Sequence, residues 1–161
     1  MDNNRISKIF LAIIFLYFFI TGCGQSIKLG LIEVGKNSAV QEFYVDNYKM
    51  QVRIILMSDE KEYLYSFSLF TKNDGTPIKD VKSYLDIKKY DTMARYHYRY
   101  MRQKQPYISG LELVYDSTAN NYEYKYKFKS KGKYELTIRL SEIEGKPLTK
   151  DILISFDQDV M

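Results

Sequence analysis

The chain is short of the residues that staple or punctuate small proteins. Its 161 residues include one cysteine, one histidine, three prolines, eight glycines and no tryptophan. A lone cysteine cannot close an intramolecular disulfide, build a thiolate metal cage or form a Cys-x-x-Cys redox pair. A lone histidine leaves any nucleophile–imidazole arrangement dependent on His97, which stands among tyrosines and arginines rather than in a nucleophile motif. There is no phosphate-cradling glycine loop, and no spacing singles out a pair among the 20 acidic residues for general acid–base work. Catalysis is not expected. The scarcity of glycine and proline excludes fibrous and low-complexity architectures.

What the chain does have is aromatic and apolar. Sixteen tyrosines and nine phenylalanines stand in a sequence that is 45% hydrophobic, too much for an intrinsically disordered chain. Its length suits one ordinary domain. No internal repeat or second domain is visible.

The amino terminus carries the strongest signal. Asp2 to Lys8 is polar and includes Arg5 and Lys8, and it leads into the uncharged run Ile9 to Ile20, IFLAIIFLYFFI. A transmembrane helix needs about 20 apolar residues, whereas the hydrophobic region of a secretory signal has about 7 to 15, so the run reads as an export signal. Ile20-Thr21-Gly22-Cys23 follows directly. This segment resembles the lipobox of bacterial lipoproteins, an aliphatic residue, two small residues and an obligatory cysteine. The resemblance implies a diacylglyceryl thioether on Cys23, cleavage after Gly22 and acylation of the new amino terminus. Residues 1–22 are then a lipoprotein signal peptide, 23–27 the lipidated cysteine and a short tether, and 28–161 the folded domain. At about 0.8 kcal/mol per buried methylene, two or three acyl chains hold a protein firmly on a bilayer. Competing readings are a plain signal peptide with an incidental cysteine, or an uncleaved anchor.

The remainder reads as strands. Met50, Val52, Ile54 and Leu56 share one face, and Tyr63, Tyr65, Phe67 and Leu69 repeat the period of two. Thr71 to Pro77, with Asn73-Asp74-Gly75 at its centre, is a turn. Val81 to Ile87 alternates again. Tyr122, Tyr124, Tyr126 and Phe128 alternate strictly with Glu123, Lys125, Lys127 and Lys129, and Tyr134 to Leu140 follows after Ser130-Lys131-Gly132. A turn at Glu144 to Pro147 precedes Ile152, Ile154 and Phe156. Further strands are expected at Lys28 to Val34, Glu42 to Val45, Ala94 to Met101 and Leu111 to Tyr115. Seven to nine short strands separated by turns predict an all-β, immunoglobulin-like antiparallel β-sandwich.

Particular residues carry a family likeness. Lys131-Gly132-Lys133-Tyr134-Glu135-Leu136 resembles the Gly-x-Tyr-x-Cys corner of immunoglobulin-like domains, with Leu136 where the cysteine would be. Asp74-Gly75-Thr76-Pro77-Ile78-Lys79-Asp80-Val81 is similar to the start of a strand in many bacterial extracytoplasmic immunoglobulin-like modules. With Asn121-Tyr122-Glu123-Tyr124 before Gly132-Lys133-Tyr134, the order resembles the YtkA-like and FixH-like group of exported or membrane-tethered domains. The likeness covers roughly Met50 to Phe156. It implies an extracytoplasmic β-sandwich, and some members are linked to copper or other heavy metals.

Two constellations are candidate sites. Met93, His97 and Met101 share a face if their segment is a strand, offering two thioethers and an imidazole, donors that suit copper(I). Ligands four residues apart on a straight strand are about 13 Å from one another, so one ion requires a loop or bulge to gather them. The simpler reading is a solvated or packed His97. Lys125, Lys127, Lys129, Lys131 and Lys133, interleaved with tyrosines, are candidates for binding a polyanion. The competing reading is that lysines on a solvent face discourage edge-to-edge aggregation. The expected function is a non-catalytic binding or accessory module at the bacterial envelope, held to the cell or outer membrane through Cys23. The alternatives are an extracytoplasmic copper- or heavy-metal-handling domain and a binder of envelope or host polyanions. Expected partners are the lipid bilayer and an envelope protein or polyanionic polymer; nucleic acid is not expected, and copper is the one cofactor considered.

Overall fold

Alternating side chains need two layers to bury their apolar faces, and the chain supplies them as two five-stranded sheets. The computed structural model describes residues 25–34, 38–58, 61–90 and 107–161. They form ten strands: β1 (Ser26–Leu31), β2 (Ser38–Val45), β3 (Tyr48–Leu56), β4 (Glu62–Thr71), β5 (Val81–Lys89), β6 (Tyr107–Glu112), β7 (Val114–Asp116), β8 (Asn121–Lys127), β9 (Gly132–Ile143) and β10 (Lys146–Val160). One sheet has the order β1-β10-β9-β5-β6 and the other β2-β3-β4-β8-β7.

The order β3-β4-β8-β7 reproduces the A-B-E-D sheet of an immunoglobulin-like sandwich, and β5-β9-β10 the C-F-G sheet. The fold is therefore the expected all-β sandwich, with ten strands where seven to nine were predicted. Two features depart from the expectation. The segment Leu111 to Tyr115 is not one strand: Leu113, buried to 3% exposure, ends pairing with β5, and the chain crosses to the other sheet as β7. The first strand pairs with the last in parallel, Ser26 beside Leu153 and Leu31 beside Asp157, so the sandwich is not wholly antiparallel. The strand expected at Ala94 to Met101 lies outside the described residues.

The core is the set of inward residues of both sheets. Met50, Val52 and Ile54 of β3, Tyr65 and Phe67 of β4, Leu85 and Ile87 of β5, Leu136, Ile138 and Leu140 of β9 and Ile154 and Phe156 of β10 are all almost fully buried. Leu136 occupies the cysteine position of the corner motif. No disulfide ties the layers, but two tyrosine hydroxyls do. Tyr65 of β4 donates to Gln158 Oε1 of β10 at 2.7 Å, and Tyr122 of β8 accepts from the Val81 backbone N–H of β5 at 2.8 Å. Burial pushes the Tyr65 hydroxyl's pKa well above its ordinary value.

The turns form where the sequence signals them. Asp74 Oδ1 accepts from the Thr71 hydroxyl and the Thr76 N–H, and Gly75 takes a left-handed φ of 69° that its lack of a Cβ permits.

Candidate functional site

At the opposite end of the sandwich from that turn, β8 passes into β9 through Phe128 to Lys131. The connection is held by a tyrosine corner. Tyr134, the first inward residue of β9, donates its hydroxyl to the Ser130 carbonyl at 2.7 Å and lies 3.1 Å from Ser130 Oγ. Its ring packs on that of Phe128, centroids 4.4 Å apart. The sequence motif thus makes the backbone hydrogen bond that fixes this turn in immunoglobulin-like domains.

The corner distributes the five lysines over three surfaces. Lys125 and Lys127 point outward from β8, where Lys125 Nζ lies 3.2 Å from Glu62 and Lys127 stands opposite Glu62 in the register. Lys133 points outward from β9 on the other sheet, with Nζ 3.6 Å from Asp157 and over the Tyr90 ring. Lys129 and Lys131 are exposed on the connection between them and meet no acidic partner among the described residues. Strict alternation in sequence therefore does not give one cationic face, because the chain changes sheets halfway along the stripe.

A sixth lysine joins the corner. Gly132 has a φ of 140°, a conformation that side chains disfavour, and a Cβ built there would lie 3.1 Å from Lys89 Cε. The bare backbone lets the stem of Lys89 cross from the end of β5, so that its Nζ reaches Ser130 Oγ at 2.6 Å and sits over the Tyr134 ring. Three ammonium groups are thus borne on or beside Ser130 by a turn whose backbone is tied down. Sequence reading named Lys129 and Lys131 but missed Lys89, 41 residues from Ser130; only the strong turn signal at Gly132 hinted at a close approach.

The outward face of the β1–β6 sheet carries a second polar network. Asp86, on the solvent side of β5 yet only 7% exposed, accepts from Ser109 Oγ at 2.8 Å, from the Gly110 N–H at 2.7 Å and from Arg139 Nε at 3.2 Å. Arg139 also reaches Asp151 at 3.4 Å and lies over the Tyr84 ring. Burial alone would lower the Arg139 pKa, but its bonds to Asp86 and Asp151 more than offset this, and the value is raised. Every member is satisfied by another, which makes the network a clamp joining β6, β5, β9 and β10 rather than an open site. Nearby, the Tyr90 hydroxyl donates to Asp157 at 2.8 Å, and its pKa is pushed up to about 12 by burial, with that hydrogen bond adding to it.

The chain enters at the far end. The Gln25 carbonyl accepts from the Leu153 N–H at 2.9 Å, and its side chain bonds Asp46 in the β2–β3 turn. Exposed turns at this end carry Asp46, Asp74, Asp80 and Glu144. Cys23 lies outside the described residues, two positions before Gln25. Met93, His97 and Met101 also lie outside them, between the end of β5 and the start of β6, where Lys88 and Tyr107 are paired. Among the described residues no group of three His, Cys, Asp or Glu side chains could hold a metal ion.

No protein-family model matches this sequence, and no curated protein matches it. Solved structures do share the fold. One is "as isolated" FetP of a uropathogenic Escherichia coli strain, recombinantly expressed in the periplasm of E. coli, with a TM-score of 0.50 and 10% identity, covering 76% of this chain and 95% of that one. Another is a copper-bound glutamate-to-glutamine variant of FetP, with a TM-score of 0.52 and 9% identity, covering 77% and 97%. At these identities the likeness is one of fold.

Proposed function

We propose that the chain is a bacterial lipoprotein in which an immunoglobulin-like sandwich serves as a non-catalytic binding or accessory module outside the cytoplasm, held to a membrane by acylated Cys23. The observation that carries this reading is the export run Ile9 to Ile20 followed at once by Ile20-Thr21-Gly22-Cys23. The entry of the sandwich at Gln25, already hydrogen-bonded to β10, supports a short tether between lipid and fold. Production of FetP in a periplasm is consistent with an extracytoplasmic fold of this kind. The motif order that resembles the YtkA-like and FixH-like group belongs to the same reading. Growth of an expressing bacterium with labelled palmitate tests it: the wild-type chain takes up label and Cys23→Ser does not, whereas equal labelling of the two removes Cys23 as the anchor.

A second reading, copper handling outside the cytoplasm, is favoured by one observation, the bound copper of a FetP variant. In this chain the donors are Met93, His97 and Met101, carried between β5 and β6. Copper(I) titration of the wild-type chain and of His97→Ala decides it: at least tenfold weaker binding in the variant supports the reading, and equal affinity ends it.

A further inference from the structure

We propose that the corner formed by Lys89, Lys129 and Lys131 binds an extended polymer bearing phosphate groups, and binds it on the side of the domain turned away from the membrane. The inference rests on the lipoprotein reading for its orientation and on the geometry of the corner for its chemistry.

The chemistry follows from three features. Lys129 and Lys131 flank Ser130 on an exposed turn and have no carboxylate partner among the described residues, and Lys89 brings a third ammonium to Ser130 Oγ at 2.6 Å. An anion on this turn meets the positive field of all three side chains at once. The backbone beneath them is tied by the Tyr134 hydroxyl to the Ser130 carbonyl, so little of the binding free energy is spent on ordering the turn. Among the described residues, Glu62 is occupied by Lys125, Glu135 by Lys88, and Asp157 by Lys133 and Tyr90. Among the described residues, Asp159 and Glu33 are the exposed carboxylates at this end. Exposed lysines spread along a turn suit a flexible chain of repeated charges better than a small ligand.

The topology supplies the orientation. Gln25 enters beside Leu153, and the corner begins at Gly132, which is paired with Val160. Seven residues of β10 separate the two levels, roughly 23 Å at 3.3 Å per residue. From Cys23 to Gln25 the tether spans about 7 Å at most. The entry end presents Asp46, Asp74, Asp80 and Glu144 beside the exposed Lys72, Lys79, Lys146 and Lys150, so its charges nearly balance. The corner then stands more than a Debye length, about 8 Å at physiological salt, from the headgroups of the anchoring membrane. A phosphate-bearing polymer outside that layer fits; the lipid phosphates beneath do not.

The test uses the full chain in detergent and long-chain inorganic polyphosphate immobilised on a sensor. The wild type is expected to bind with an affinity that falls about fivefold to twentyfold between 50 and 200 mM salt, the slope for two to three phosphate contacts. Lys129→Gln/Lys131→Gln is expected to bind at least tenfold more weakly with an unchanged thermal midpoint. Lys79→Gln/Lys150→Gln, exposed lysines toward the entry end, is expected to bind within twofold of wild type. Equal binding by the corner variant, or equal loss in both variants, overturns the site. Orientation is read after reconstitution: polyphosphate binding within twofold in phosphatidylcholine and phosphatidylglycerol vesicles supports it, and abolition by phosphatidylglycerol overturns it. An acylated chain that ignores polyphosphate removes the corner and leaves the anchor; an unacylated chain that binds through Lys129 and Lys131 does the reverse.

Discussion

Removing one oxygen atom from Tyr134 isolates the corner that organises the lysine turn. Tyr134→Phe deletes the hydroxyl that donates to the Ser130 carbonyl at 2.7 Å and contacts Ser130 Oγ at 3.1 Å, while the ring keeps its packing on Phe128 at 4.4 Å. The Ser130 carbonyl lies on an exposed turn and is rehydrated once its partner is gone, so the loss is the net worth of a hydrogen bond, about 0.5–1.5 kcal/mol. For a domain of this size that is a fall of roughly 2–6 °C in thermal midpoint. In urea it is a drop of about 0.3–1 M in the midpoint with an unchanged slope. Tyr134→Ala also removes the ring, 6% exposed and packed among Phe128 and its neighbours, and costs about 3–5 kcal/mol. The assay is paired thermal and urea unfolding of wild type, Phe and Ala variants. A Phe variant as stable as wild type refutes the assigned hydrogen bond, and one as unstable as Ala refutes the separation of bond from packing.

Other expectations follow from the inter-sheet ties. Gln158→Ala leaves a void and strands the Tyr65 hydroxyl in the core, a loss of about 2–4 kcal/mol. The double variant Gln158→Leu/Tyr65→Phe removes the Tyr65–Gln158 hydrogen bond with both of its polar groups, together with an amide Nε2 that has no hydrogen-bond partner, and is expected to recover part of that loss in urea unfolding, the Tyr63 hydroxyl also losing its bond to Gln158. Asp86→Ala unpairs Ser109 and the Gly110 N–H, leaves Arg139 with Asp151 alone and is expected to cost about 2–4 kcal/mol by the same assay. Tyr90 holds its proton more tightly folded than unfolded, so its contribution is complete below pH 10 and is lost as pH rises toward about 12. The alkaline fall in thermal midpoint across that window is expected to be shallower in Tyr90→Phe, and an identical fall in both proteins contradicts the assignment.

The parts of the fold legible in sequence were those with local causes. The alternation from Tyr122 to Phe128 gave β8 because one residue in two must face the core, and Gly132-x-Tyr134 marked the corner because a tyrosine two residues after a turn glycine reaches back to the turn backbone. What sequence could not display was pairing between distant segments. Nothing local distinguishes a parallel edge at β1 from an antiparallel one, since its partner lies over 120 residues away at Leu153. The change of sheet at Leu113 was hidden because Leu111, Leu113 and Tyr115 continue one alternation through it. The lysine stripe misled for the same reason: period two predicts a shared face only while the chain stays in one sheet, and this chain leaves β8 at Lys127 and reappears in the opposite sheet at Gly132. Lys89 belongs to the corner through space alone.

Intact-mass spectrometry of the chain extracted from membranes with detergent tests the anchoring most directly. The expected product begins at Cys23 and carries a diacylglyceryl group on its sulfur and an acyl group on its amino terminus. A chain that retains residues 1–22, or that bears a free thiol at Cys23, contradicts it.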